Sequence, residues 1–139
     1  MVMIRDYNMP DELYYSERHM WLRVDGDTGI VGVTDFTQKA AGEVTYIELP
    51  EEGDEVEADE LIGSLETGKW MGKIYSPVSG EIIAINEDLE DEPGMINEDP
   101  YGNGWIVKIK IADSSEVDDL MQTDKLASWL EKEIAANIG

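Results

Sequence analysis

From residue 21 to residue 111 the chain is a succession of short apolar or alternating runs, each cut off by Gly, Pro, Asp or Glu. Runs of this length with turn chemistry between them fit strands and leave little room for long helices. Trp21-Leu22-Arg23-Val24 alternates apolar and polar, as a half-buried strand does. Asp25-Gly26-Asp27-Thr28-Gly29 is turn chemistry, and Ile30-Val31-Gly32-Val33 predicts the returning strand. Thr34 is placed to cap a short helix, Asp35 to Ala41, which Gly42 ends. Val44 to Leu49 reads as a strand stopped by Pro50-Glu51-Glu52-Gly53. Leu61 to Glu66 and Ile74 to Ser76 flank a tight turn near Thr67-Gly68-Lys69, and Ile82 to Ile85 and Trp105 to Ile111 are further strands. The Pro-, Gly- and acid-rich stretch 87–104 reads as loop with one helical turn, and residues 1–13 as an irregular arm ahead of a single domain, 14–139.

The tail changes period. Leu126, Trp129, Leu130 and Glu133-Ile134 recur at helical spacing, with Thr123 or Asp124 as a cap. One internal echo stands out. Gly42-Glu43-Val44 followed by Ile47 recurs as Gly80-Glu81-Ile82 followed by Ile85, and acidic turns follow at Glu51-Glu52 and Glu87-Asp88. Taken at face value it marks two related β units, with Lys69 on the hairpin between them.

Composition narrows the function classes. The chain has 139 residues, 42% of them hydrophobic, enough for one core without staples. It has no cysteine, which excludes disulfides, thiolate metal sites and a Cys nucleophile of its own. The opening Met1-Val2-Met3-Ile4-Arg5-Asp6 has no apolar h-region, and no stretch reaches the roughly 20 apolar residues of a membrane helix, so a cytoplasmic location without membrane insertion is expected. A net charge of -22 repels phosphate backbones and argues against nucleic-acid binding. The excess acid fits a solvated surface, as in a saline habitat, or electrostatic steering toward basic partners.

Most motif fragments have simpler explanations. Gly63-Ser64-Leu65-Glu66-Thr67-Gly68-Lys69 follows most of a phosphate-binding loop pattern, but Trp70 replaces the needed Ser or Thr and the flanks read as strands. Asp25 to Gly29 lacks the later ligands of a calcium loop. His19 is the only histidine, and no local signature supplies it with a nucleophile and an orienting acid. Trp21, Trp105 and Trp129 suit a core or its rim, whereas Trp70 adjoins the turn. Lys69 in that turn is the candidate of interest. A turn lysine is commonly just solvated, but basic residues are scarce here, and Gly68 permits a positive φ, so the chain can reverse sharply and push the next side chain outward.

Glu66-Thr67-Gly68-Lys69-Trp70-Met71-Gly72-Lys73-Ile74-Tyr75-Ser76-Pro77-Val78-Ser79-Gly80-Glu81 resembles the lipoylation segment of glycine cleavage H-proteins, an E-S-x-K-A core followed by Y-x-P-V-S-G-E, without a gap. Tyr15-Ser16-Glu17-Arg18-His19-Met20-Trp21-Leu22 is similar to that family's Y-S-x-x-H-x-W. Ile96-Asn97-Glu98-Asp99-Pro100-Tyr101-Gly102-Asn103-Gly104-Trp105 is similar to its V-N-x-x-P-Y-x-x-G-W. The resemblance covers roughly residues 14–134. It implies a mainly β barrel-sandwich hybrid of lipoyl/biotinyl-carrier type with a C-terminal helix, and a non-enzymatic carrier with lipoic acid amide-linked to Lys69. It implies as partners a lipoate–protein ligase or lipoyl transferase, dihydrolipoamide dehydrogenase, and client enzymes. Glu66 would be a recognition element for the lipoylating enzyme, and Gly80 a turn-permitting support residue.

Thr67-Gly68 before the lysine and Trp70-Met71 after it depart from the family's small residues. A Gly-Lys-Trp core is more similar to the H-like lipoate-binding proteins of bacterial sulfur oxidation, whose client is a heterodisulfide-reductase-like complex. The expected function is therefore a lipoate-binding carrier in such a pathway, with Trp70 as an apolar rest for the arm. The alternative is the H-protein of the glycine cleavage system, carrying the aminomethyl intermediate between the glycine cleavage enzymes. An unmodified interaction module, a hydrolase using His19, and a biotinyl carrier complete the alternatives. The last lacks the Met-Lys-Met usual around a biotinylated lysine.

Overall fold

Trp21 to Val33 folds back on itself as the alternation requires. Strands β4 (Met20–Asp25) and β5 (Thr28–Val33) pair antiparallel, and Asp25 faces Thr28 across the Gly26-Asp27 turn. Gly26 has φ 64°, which glycine adopts without strain, and the acids of this segment belong to a hairpin turn. The computed structural model describes residues 3–4, 7–8, 12–16, 18–68, 71–122, 125–126, 129–130 and 132. Three shorter strands precede this hairpin: β1 (Met3–Ile4), β2 (Tyr7–Asn8) and β3 (Tyr14–Tyr15). The described part of the arm is thus not irregular. β1 and β2 pair with each other, and Leu13 is fully buried. Strands this short leave no alternation to read in the sequence.

The helix α1 (Asp35–Ala41) starts where Thr34 accepts a hydrogen bond from the Thr37 N–H and ends at Gly42, whose N–H reaches the Gln38 carbonyl. Strands β6 (Val44–Glu48), β7 (Glu55–Val56), β8 (Leu61–Thr67), β9 (Met71–Tyr75), β10 (Gly80–Ile85) and β11 (Val107–Ile111) complete the β structure. They form an antiparallel six-stranded sheet in the order β3-β4-β5-β11-β10-β7 and a three-stranded sheet in the order β6-β8-β9. The inner faces of the two sheets meet in one core that includes Leu22, Val31, Ile47, Leu65, Ile74, Ile82 and Ile109. This is a mainly β sandwich, the fold class expected from the sequence.

Residues 87–104 carry two four-residue helices, α2 (Asp88–Asp91) and α3 (Met95–Glu98), rather than one helical turn. Each buries a single apolar side chain, Leu89 or Ile96, so the sequence shows no helical period there. A 3₁₀ segment (Ser114–Asp119) follows β11, opened by Asp113, which accepts from the Ser115 N–H at 3.0 Å.

In the tail, Lys125, Leu126, Trp129, Leu130 and Lys132 are helical. Leu126 and Leu130 are fully buried in a second cluster with Leu13, Tyr15, Trp21 and Phe36. The caps Thr123 and Asp124 and the later positions Glu133 and Ile134 lie outside the described residues. The two copies of the internal echo fall in different sheets, and their glycines differ in role. Gly42 ends a helix at φ 87°, while Gly80 sits inside a sheet.

Candidate functional site

In sequence Lys69 falls between β8 and β9, the paired strands of the three-stranded sheet. β8 runs out to Thr67 and β9 returns from Met71, with Glu66 paired to Met71 as the last described rung. The residues between them include Lys69 and Trp70, both outside the described residues. The segment that follows a phosphate-loop pattern is thus mostly strand, which leaves no helix N-terminus to receive phosphate. The core face of the hairpin is anchored by the rung Ile47–Leu65–Gly72, with all three residues buried. The solvent face carries the rung Tyr46–Glu66–Met71.

Gly68 is exposed, and its φ lies outside the left-handed region. The conformational freedom that glycine offers there is not used as a positive φ. A Cβ at Gly68 would meet nothing within 4 Å. The turn expected at Gly80 is corrected: Gly80 opens β10, paired with Val56 on one side and Ile111 on the other. A Cβ there would run into the Lys110 carbonyl oxygen and lie 2.7 Å from Ile109 Cγ2. Gly80 is required by close strand approach, and it belongs to the other sheet, not to the hairpin end where Glu66 and Gly68 lie.

A polar clamp that sequence reasoning missed holds the start of β6, the strand that flanks the turn end of this hairpin. Asn97, on α3, accepts from the Val44 N–H at 2.8 Å and donates to the Gly42 carbonyl at 2.8 Å and to Gln38 Oε1 at 3.1 Å. It ties the end of α1 to the start of β6, and Val44 in turn pairs with Thr67. The register shifts between Val44 and Tyr46, so a bulge at Thr45 lies immediately beyond this anchor. Thr45 Oγ1 donates to the Glu66 carbonyl at 3.2 Å across it.

The two flanking motifs meet each other. Trp21 Nε1 donates to the Pro100 carbonyl at 2.9 Å, and the Trp21 and Tyr101 rings lie 5.9 Å apart. The Asp35 N–H donates to the Tyr101 hydroxyl at 2.8 Å. Burial pushes the Tyr101 phenol well above its ordinary ionisation range, and the nearby Asp35 carboxylate adds to this, against the N–H bond from the same residue. His19, at φ 65°, packs its ring 5.1 Å from Phe36 and 4.9 Å from Trp129. Its N–H donates to the Ser16 carbonyl and its carbonyl accepts from the Thr34 N–H, so its backbone joins the turn before β4 to the cap of α1. Among the described residues no group of three or more His, Asp or Glu side chains is arranged to hold a metal.

A sequence profile of the family described as "Glycine cleavage H-protein" matches residues 13–133. The chain belongs to the glycine cleavage H-protein family. It is 44% identical over 126 residues to a glycine cleavage system H protein of Halalkalibacterium halodurans, covering 91% of this chain and 98% of the relative. It is 45% identical over 125 residues to a probable glycine cleavage system H protein of Haloarcula marismortui, covering 90% and 98%. The crystal structure of an H protein from Mycobacterium marinum superposes with a TM-score of 0.79 at 30% identity, covering 86% of this chain and 97% of that one. Members of this H-protein family are lipoyl carriers, not catalysts, and hold lipoate covalently on a lysine. Among the described residues no helix is long and apolar enough to cross a membrane.

Proposed function

We propose that Lys69 is the lipoyl attachment residue and that the chain serves the glycine cleavage enzymes as their carrier. The observation that carries the reading is the place of Lys69 in the sequence, between the paired strand ends Glu66 and Met71, in a family that holds lipoate on a lysine. A lipoate–protein ligase or lipoyl transferase would form the amide on the Lys69 amine. When bound, the dithiolane supplies the reversible sulfur chemistry that a cysteine-free chain lacks. The chain's own residues anchor the hairpin, with Leu65 and Ile74 buried beneath it and Asn97 fixing the start of the neighbouring strand β6, where Val44 pairs with Thr67. A tether on such a base raises the effective concentration of the arm at a docked enzyme. Glu66, Gly68 and Trp70 remain the proposed support residues beside the arm. Gly80 supports the sheet behind it. Residues 14–139 form the carrier domain and 1–13 an arm in this reading, with a cytoplasmic site of action and dihydrolipoamide dehydrogenase as a further partner.

The client expected from the Gly68-Lys69-Trp70 core, a heterodisulfide-reductase-like complex of sulfur oxidation, is the second reading. The relatives' names favour glycine cleavage. The test offers the lipoylated protein, and its Lys69→Arg counterpart, to glycine decarboxylase and to the sulfur-oxidising complex. Turnover with glycine decarboxylase alone, lost in Lys69→Arg, supports the first reading. Turnover with the sulfur-oxidising complex alone replaces it with the second.

A further inference from the structure

The two neighbours of β8 follow it for different distances toward Lys69. On the β9 side the last described rung is Glu66–Met71. On the β6 side the ladder runs one residue further, to Thr67–Val44, and Thr67 stands two residues before Lys69 in sequence. The described path of the chain toward the turn is therefore set from β6. That strand is irregular at the same point. Val44, Thr45 and Tyr46 face only Thr67 and Glu66, so Thr45 is the extra residue of a bulge and lies outside the regular ladder. Its hydroxyl donates to the Glu66 carbonyl at 3.2 Å, which ties the bulge back to β8. The Glu66 carbonyl and the Thr67 N–H share one planar peptide unit, so a bond that holds the carbonyl also holds the orientation of the whole unit. Both ends of the bulge are fastened. Asn97 accepts from the Val44 N–H at 2.8 Å, and the buried pair Ile47–Leu65 follows on the other side. Thr45 itself is exposed, and valine would suit a strand as well. What the threonine adds is the hydroxyl.

We propose that Thr45 is a positioning residue for the Lys69 amine. Its hydroxyl, on a bulge braced by Asn97, fixes the direction in which β8 leaves the sheet. The proposal rests on the carrier reading above. Bulges beside functional sites serve to re-aim a side chain, and a rotation of the Glu66–Thr67 peptide is carried along the covalent chain to the residues that follow. Thr45 acts through the backbone of Glu66 alone, and the Glu66 carboxylate takes no part. The role does not depend on which enzyme docks, because it sets where the amine stands relative to the sheet. Its loss therefore falls on the step that needs the amine aligned with its acyl donor, and leaves the surfaces that bind the enzyme as they were.

The test uses the full-length apo-protein with a lipoate–protein ligase, following amide formation at Lys69 by mass. Thr45→Val keeps the branched shape and removes the donor. It lowers kcat ~5-fold, the scale of one lost hydrogen bond, with the KM for the chain unchanged. Thr45→Ser, which keeps the hydroxyl, restores kcat. Without any enzyme present, amide exchange at Thr67 quickens in Thr45→Val and recovers in Thr45→Ser. Ser64→Ala removes a hydroxyl further back on β8, where Ser64 faces Lys73, and leaves kcat and exchange at Thr67 as in the wild type. A raised KM with kcat retained makes Thr45 a docking contact and overturns the proposal. An unchanged kcat in Thr45→Val, a loss that Thr45→Ser does not restore, or a lower kcat without faster exchange at Thr67 overturns it as well. Each of these results, on a chain that is still lipoylated, leaves the carrier reading intact. A wild-type chain that accepts no lipoate at Lys69 removes the carrier reading and the proposal together.

Discussion

Replacing Asn97 by Ala tests whether the hairpin is held from behind. The side chain makes two bonds of 2.8 Å, one from the Val44 N–H and one to the Gly42 carbonyl, and a third of 3.1 Å to Gln38 Oε1. A net ~1 kcal/mol per well-formed bond gives about 2 kcal/mol, and a strand-end N–H left without its acceptor adds about 1 more, so the expected loss is roughly 2–4 kcal/mol. For a domain of this size that lowers Tm by on the order of 10 °C. Asn97→Asp is no rescue. It keeps an acceptor for Val44 but sets a carboxylate oxygen against the Gly42 carbonyl and Gln38 Oε1. Urea unfolding reads the global loss, and amide hydrogen exchange locates it. Val44 and Thr67 should exchange faster relative to Val107, which lies in the other sheet. A loss below about 0.5 kcal/mol, or uniform acceleration in both sheets, would refute the clamp.

Gly80→Ala should destabilise by about 1–3 kcal/mol in thermal unfolding, because the Lys110 carbonyl cannot move without disturbing the sheet, while Gly68→Ala should stay within about 0.5 kcal/mol. The Tyr101 phenol ionises at higher pH in the folded chain than in the unfolded one, so its contribution is intact below the ordinary value of 10.0 and is lost as pH rises through the folded value. Tyr101→Phe should lower neutral-pH stability by about 1–2 kcal/mol and flatten the alkaline limb of a stability–pH curve. With a net charge of -22, denaturation midpoints should rise between about 0.1 and 1 M NaCl as screening shortens from about 10 to 3 Å. A midpoint that falls over that range contradicts self-repulsion as a significant cost.

Much of this architecture could be read from the chain because the signals were local. Asp25-Gly26-Asp27-Thr28 places a hairpin, Thr34 and Gly42 bracket α1, and Leu126, Trp129 and Leu130 carry a helical period. What the sequence hid is non-local. The partners of Asn97 lie 53 residues away at Val44 and 55 at Gly42, so its family motif could be recognised without its role being visible. Gly80 carried no mark that its neighbour would be a facing strand, and a turn was the natural expectation for it. The bulge at Thr45 shifts the alternation that would otherwise have shown Tyr46 on the solvent face beside Glu66. β7 and the arm strands β1 and β2 are each two residues long and carry no period. Lys69 stands out in the sequence because basic residues are few and it falls between two strand-like runs, inside the segment that resembles the family's lipoylation motif.

The most direct test of the central claim is the intact mass of the protein from its native source, followed by peptide mapping. The account predicts a mass increase of one lipoyl group, located on Lys69 and absent from Lys73. A chain left unmodified at Lys69, in cells whose other lipoyl proteins are modified, would contradict it.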